Sequence, residues 1–276
     1  MKKHFGLIGF PLGHTMSPFI QQKLFEISGV DAEYTLFSFP KEEFENYIND
    51  LKDLDGFNVT IPHKQNVIKY LASLDKNAQN FGAVNTVKAE RNGLVGFNTD
   101  AFGFLSALEF GNLFLKGNVL LYGYGGVART IAFETLKAGC NLTICTRNGM
   151  KNRAVPLADE LEQKTGVRPR IIAIEDINSN YDLFINATPV GMYPKMDESP
   201  LTPEQLSFME SVFDTIYNPQ ETLLLKYAKD KNIPCSNGLA MLVCQAAQSQ
   251  EIWCGSRFTR EQITNVIELT SQELEK

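Results

Sequence analysis

Val119-Leu120-Leu121-Tyr122-Gly123-Tyr124-Gly125-Gly126-Val127-Ala128-Arg129 decides how the chain folds. An apolar run ends at a glycine cluster, and a helical pattern begins directly after it. This is G-x-G-x-x-A with a strand before and a helix after, the context a dinucleotide fingerprint requires. Gly123 permits the tight turn, Gly125 lets a pyrophosphate approach the backbone, and Ala128 lets helix and strand pack closely. The helix that follows has free N–H groups and a positive dipole end that suit a phosphate. The competing reading is an ordinary glycine-rich turn.

Outward from that stretch, strands and helices alternate. Strands are expected at 118–122, 141–146, 170–174, 182–186, 211–216 and 233–236, with helices at 127–138, near 154–165 and at 222–231. Such alternation predicts an α/β fold with a doubly wound parallel sheet. The first hundred residues mix both types. Strands are read at 5–10, 34–39, 57–61, 83–88 and 94–97, the last two joined at Asn92-Gly93, a hairpin signal. Ser17-Pro18 reads as a helix N-cap and its first residue, followed by Ile20, Leu24 and Ile27 at helical spacing. Further helices are expected around 44–51, 65–71 and 100–109. Two helices close the chain, Gly238 to Trp253 and one capped by Thr259 with Gln262. The loop at 111–117 suggests a boundary. The expected domains are 1–102, completed by 238–276, and 103–237.

Composition narrows the function. The chain has 276 residues, a formal net charge of -6 and no long basic run, which argues against a nucleic-acid partner. No apolar run approaches membrane-spanning length, and nothing resembles a signal peptide. Five cysteines without a C-x-x-C pair, and three histidines without H-E-x-x-H, fit reduced core thiols and no metal site. These features predict a cytoplasmic protein acting on a small molecule.

Cofactor choice follows from the second strand of the nucleotide half. About twenty residues past the first glycine, an acid normally takes the ribose 2′-OH. Here Thr146-Arg147-Asn148 and Lys151 stand instead, so NADP(H) is expected over NAD. Other groups are individually ambiguous. Asn58 and Thr60 alternate with Val59 and Ile61 on a strand that leads to His63 and Lys64. A lysine there is usually an exposed charge, and His63 alone reads as a surface or packing residue. Asn85 and Asp100 each end or interrupt an apolar strand, and Asp100 also reads as an N-cap. A carboxylate beside a lysine amine is nevertheless a natural proton-transfer pair for alcohol–ketone chemistry. Gly13-His14-Thr15-Met16-Ser17-Pro18 is a hydroxyl-rich loop entering a helix, suited to a polyhydroxylated or carboxylate ligand.

Together with Asn186-Ala187-Thr188-Pro189-Val190-Gly191-Met192, Tyr217-Asn218-Pro219 and Gly238 to Ala247, these motifs resemble the shikimate dehydrogenase family over nearly the whole chain. The resemblance implies an N-terminal substrate domain, a central NADP domain, and interconversion of 3-dehydroshikimate and shikimate. It implies Lys64 and Asp100 as the catalytic pair. Thr15, Ser17, Thr60, Asn85 and Gln245 would bind substrate with them, and Tyr217 would lie near the substrate carboxylate. Gly123, Gly125, Gly126, Val127, Ala128, Thr146, Arg147, Asn148, Lys151, Thr188 and Gly238 would contact the cofactor. Such an enzyme works as a monomer or a homodimer.

Three departures stand out. Thr15 replaces a usual serine and crowds the carboxylate pocket with a methyl. Thr146-Arg147-Asn148 replaces Asn-Arg-Thr, and Ala240 takes a frequent glycine's place. Two alternatives compete: a quinate or mixed quinate/shikimate dehydrogenase, or a non-catalytic NADP-binding sensor of the same fold. Joint retention of Lys64, Asp100, Asn85 and Gln245 argues against the sensor.

Overall fold

Short apolar runs separated by amphipathic segments form two sheets, each the centre of its own unit. The computed structural model describes residues 2–13 and 15–276. One compact unit comprises Met1–Gly103 with Leu242–Lys276, and the other comprises Phe104–Met241.

In the first unit the elements run β1 (Lys3–Gly9), α1 (Ser17–Ser28), β2 (Ala32–Ser38), α2 (Phe44–Lys52), β3 (Gly56–Val59), β4 (Ser73–Leu74), α3 (Lys76–Phe81), β5 (Thr86–Glu90), β6 (Gly93–Phe97) and the start of α4 (Asp100–Phe110). The six strands are ordered β2-β1-β3-β5-β6-β4. β1 pairs parallel with β2 and β3, whereas β5 runs antiparallel to both β3 and β6. Phe39, Phe44, Phe57, Val59, Val67 and Val87 form the buried core beside this sheet. The chain's last segment completes the unit. In it the Trp253 ring stacks on Phe5 with centroids 4.6 Å apart, and its indole N–H donates to Val87 O at 2.8 Å.

The second unit contains β7 (Asn118–Tyr122), α5 (Gly126–Lys137), β8 (Asn141–Thr146), α6 (Lys151–Thr165), β9 (Arg170–Ala173), β10 (Leu183–Asn186), β11 (Val212–Asp214), α7 (Leu223–Asp230) and β12 (Cys235–Ser236). α8 (Leu239–Cys254) and α9 (Arg260–Leu274) follow. All strand pairs here are parallel, in the order β12-β11-β10-β7-β8-β9. Counted along the chain within this unit, that order is 3-2-1-4-5-6 read from the other edge, the doubly wound arrangement with its switch point between β7 and β10. β10 and β11 are buried at every position, which is why they read as continuous apolar runs rather than as alternation.

Several expectations shift. Ser17 does not cap α1. The helix starts at Ser17 itself behind Met16, without a side-chain cap, and the Ser17 N–H meets the Thr15 hydroxyl at 3.3 Å. β3 stops at Val59; the Thr60 N–H still donates to Ile8 O at 2.9 Å, but Ile61 lies in a turn at 74% exposure. The helix expected at 65–71 is a 3-10 turn at Asn66–Tyr70. α6 begins at Lys151, three residues ahead of its apolar pattern. β11 ends at Asp214 because the Ile216 N–H turns to that carboxylate at 3.1 Å. The hairpin forms with Glu90 opposite Gly93, so its loop is Arg91-Asn92. β4 and α3 were not expected, although Asp75 caps α3 by accepting from Ala78 N. The Thr259–Gln262 capping box forms as read.

Candidate functional site

In the first unit, β3, β5, α4 and α8 bring four of the expected residues together. Lys64 lies in the turn after β3. Its ammonium donates to Asp100 Oδ2 at 2.7 Å, with the lysine side chain 23% and the aspartate 5% exposed. Asp100 heads α4, so its carboxylate is engaged by lysine rather than by the helix start. Asn98 instead accepts the Asp100 N–H at 3.0 Å. The second oxygen, Oδ1, accepts from Asn85 Nδ2 at 2.8 Å, and the same amide reaches Gln245 Oε1 at 3.4 Å. Asn85 is held in turn, since its Oδ1 accepts from Thr99 N at 2.8 Å and from the Thr86 hydroxyl at 3.1 Å.

This geometry fixes the anion from one side and leaves the ammonium accessible from the other. A carboxylate satisfied by two partners can hold an amine in place without quenching its reach toward an incoming oxygen. Behind Asn85 a polar network continues through Ser249 and Asn58. Asn58 Nδ2 donates to Ser249 at 2.9 Å, while its Oδ1 accepts from Tyr34 at 2.7 Å and Gln21 at 3.1 Å. Asn58 thus serves the interior, and sequence reading gave no sign of Ser249. His63 is a packing residue: fully buried against Phe39 and Phe44, with Nε2 2.8 Å from Phe39 O, its pKa lowered by burial. Thr15 hydrogen-bonds Ser17 between hydroxyls at 3.1 Å, and Thr60 is half-buried at the end of β3. His14 lies outside the described residues.

In the second unit, a cavity of about 370 Å³ opens at the C-terminal ends of β7, β8 and β10, lined by Gly123, Gly125, Thr146, Arg147, Arg153 and Thr188 among others. This is where an open parallel sheet places a ligand. Gly123 has φ +122°, and a Cβ there would meet Ala187 O at 2.9 Å. A Cβ at Gly125 or Gly126 would meet nothing within 4 Å, so the glycines leave space over the start of α5. Ala128 is fully buried under that turn, beside Val127. The described lining carries two guanidinium groups and no carboxylate, a donor set that matches a phosphorylated dinucleotide.

The remaining expected residues divide. Thr146 lines the cavity, but its buried hydroxyl donates to Arg147 O at 3.1 Å. Arg147 Nε donates to Tyr122 Oη at 3.4 Å, leaving the rest of the guanidinium exposed. Asn148 is exposed and is not part of the lining. Lys151 pairs with Asp176 at 2.7 Å and is not part of the cavity lining, whereas Arg153, which the sequence reading missed, is. Gly238 N donates to Ile216 O at 2.9 Å, and a Cβ there would run into the Thr215 carbonyl, so the position tolerates only glycine. Tyr217 belongs to the second unit, its pKa raised by burial.

Comparison with known proteins decides the family. The family model for the shikimate dehydrogenase substrate binding domain matches residues 7–87. The shikimate dehydrogenase (NADP(+)) of Methanocaldococcus jannaschii is 41% identical over 272 residues, covering 96% of each chain. This chain belongs to the shikimate dehydrogenase family. A shikimate dehydrogenase solved in complex with NADP+ superposes with a TM-score of 0.90 at 39% identity, covering 100% of this chain and 96% of that one. The shikimate 5-dehydrogenase of Thermus thermophilus, solved with NADP(H) and shikimate, gives 0.86 at 32%, covering 97% and 99%. In this member of the shikimate dehydrogenase family, the matched segment contains Thr15, Ser17, Thr60, Lys64 and Asn85. Asp100 and Gln245 come from α4 and α8 beyond it. Among the described residues, no helix is long and apolar enough to cross a membrane.

Proposed function

We propose that the chain interconverts 3-dehydroshikimate and shikimate with NADP(H), and that Lys64 and Asp100 carry the proton transfer. The observation that supports this most is the short Lys64–Asp100 pair, its acid buried and its amine accessible. NADPH, when bound, supplies the hydride that reduces the ketone carbon. Lys64 Nζ gives its proton to the ketone oxygen as the hydride arrives, and takes one from the hydroxyl in the reverse direction. Asp100 aims the ammonium and stabilises its charge. Asn85 and Gln245, with Thr15, Ser17 and Thr60, orient the ring hydroxyls and carboxylate so that the reacting carbon is held in place.

For the cofactor, the N–H groups at Gly125, Gly126 and Val127 receive the pyrophosphate. Arg147 and Arg153 hold the 2′-phosphate, with Thr188 and Gly238 shaping the remainder of the site. The reading carries with it a cytoplasmic enzyme, monomeric or homodimeric, without a nucleic-acid partner. The deciding experiment follows nicotinamide absorbance during oxidation of shikimate, with quinate and NAD+ run alongside. Rapid reduction of NADP+ by shikimate is expected. NADPH binding by folded protein that turns over neither substrate would overturn the catalytic assignment, and a preference for quinate would place the Thr15 methyl in a different role.

A further inference from the structure

A buried acid that the chemistry above does not use stands behind the cofactor cavity. The register of β7, β10 and β11 sets Tyr122, Asn186 and Asp214 side by side, each the last residue of its strand. Asn186 and Asp214 are completely buried. Asp214 Oδ1 accepts from Asn186 Nδ2 at 3.0 Å and from Ile216 N at 3.1 Å, while Oδ2 accepts from the Thr222 hydroxyl at 2.7 Å. At the far end of the Asn186 carboxamide, Oδ1 accepts from Thr188 N at 3.1 Å and from the Thr188 hydroxyl at 2.7 Å. The Thr188 hydroxyl then takes the Val190 N–H at 3.3 Å, and Thr188 to Val190 line the cavity.

A carboxylate offers only acceptors, whereas a carboxamide offers a donor at one end and an acceptor at the other. Asp214 therefore admits one orientation of Asn186. Turned over, the amide would set its oxygen against the Asp214 oxygen and its NH2 against the Thr188 N–H. Each mismatch leaves a buried polar group unpaired, which is costly because the group has lost its water. An apolar residue at 214 would leave Asn186 Nδ2 only its longer bond to Val190 O at 3.3 Å, so the carboxamide would be held from the loop side alone and lose its anchor in the sheet.

We propose that Asp214 is a positioning residue for the cofactor: by fixing the Asn186 carboxamide it holds the Thr188–Val190 loop in the shape that receives NADP(H). The proposal rests on the assignment of NADP(H) to this cavity. Asp214 itself touches neither cofactor nor substrate in this scheme. It acts on binding, and leaves the rate at saturating cofactor to Lys64 and Asp100.

The test is fluorescence titration of NADPH into wild type, Asp214→Ala and Asp214→Asn, each checked for folding by its melting curve. Asp214→Ala should bind NADPH at least tenfold more weakly, with the KM for NADP+ raised similarly and kcat at saturating cofactor within about twofold. Asp214→Asn keeps an oxygen facing Asn186 and Ile216 and can donate to Thr222, so it should bind nearly as wild type. If Asp214→Ala does not fold, Asn186→Ala removes the same relay while leaving Asp214 two of its donors, and should show the same loss. Unchanged NADPH affinity in the folded variant overturns the proposal, as does a loss in Asp214→Asn equal to that in Asp214→Ala. Failure of wild type to bind NADPH would instead remove the cofactor assignment on which the proposal stands.

Discussion

In the proposed mechanism Lys64 moves the proton and Asp100 holds the ammonium in place, through a bond of 2.7 Å. The aspartate is held by Asn85 at Oδ1 and stands at the head of α4, with Oδ2 turned to Lys64. Lys64→Ala should lower kcat by about 10²–10⁴-fold, the range of general acid–base contributions, while shikimate still binds. Steady-state kinetics with equilibrium shikimate binding check this, and undiminished turnover would remove Lys64 from the chemistry. If both hold the 2′-phosphate as proposed, Arg147→Ala and Arg153→Ala should each raise the KM for NADP+ by about tenfold and leave that for NAD+ unmoved. Equal effects on both cofactors would mean that the arginines serve the pyrophosphate or the fold. Lys64, Asp100 and Asn85 were legible because each stands in a recognisable motif. Arg153 was not, because α6 was read as starting after it. With the helix starting at Lys151, positions 151 and 153 are about 200° apart around the axis, and only one of the two faces the cavity.

At the scale of elements, the second unit was the more legible, because doubly buried parallel strands leave unbroken apolar runs in the sequence. What the sequence hid there was register. Asp214 falls inside the strand expected at 211–216, and only the alignment with Asn186 gives it a partner. In the first unit, β4 has two residues and α3 has six, too short for any period to emerge, although Asp75 and Gly82 mark the ends of α3. Burial pushes the Asp214 carboxyl from 3.8 up to about 6, against the hydrogen bonds from Thr222, Ile216 and Asn186 that pull it down. The folded chain thus binds this proton more tightly than the unfolded one. The stability it contributes is full below about pH 4 and is lost as pH rises through about 6. Asp214→Asn escapes that loss. Its stability relative to wild type should rise by up to about 3 kcal/mol between pH 4 and pH 7, read from urea midpoints at the two ends. A difference that does not vary with pH would show that Asp214 is not the titrating group.

For the molecule as a whole, cofactor binding should appear as stability. NADPH at about a hundred times its Kd should add about 2.7 kcal/mol, raising the melting temperature by several degrees. NADH at the same concentration should add much less, and an equal rise with both would contradict discrimination by the two arginines. The two-segment make-up of the first unit carries a consequence for how the chain emerges from the ribosome. Residues 104–241 form one unbroken unit, whereas the first unit needs Leu242–Lys276 to cover Phe5 with Trp253 and to give Gln21 its contact with Gln250. At ordinary translation speeds the ribosome takes roughly ten to thirty seconds to deliver the intervening stretch. During that interval the amino-terminal sheet waits with Phe5 uncovered while the nucleotide half can already close, so the part of the enzyme made first is the part finished last.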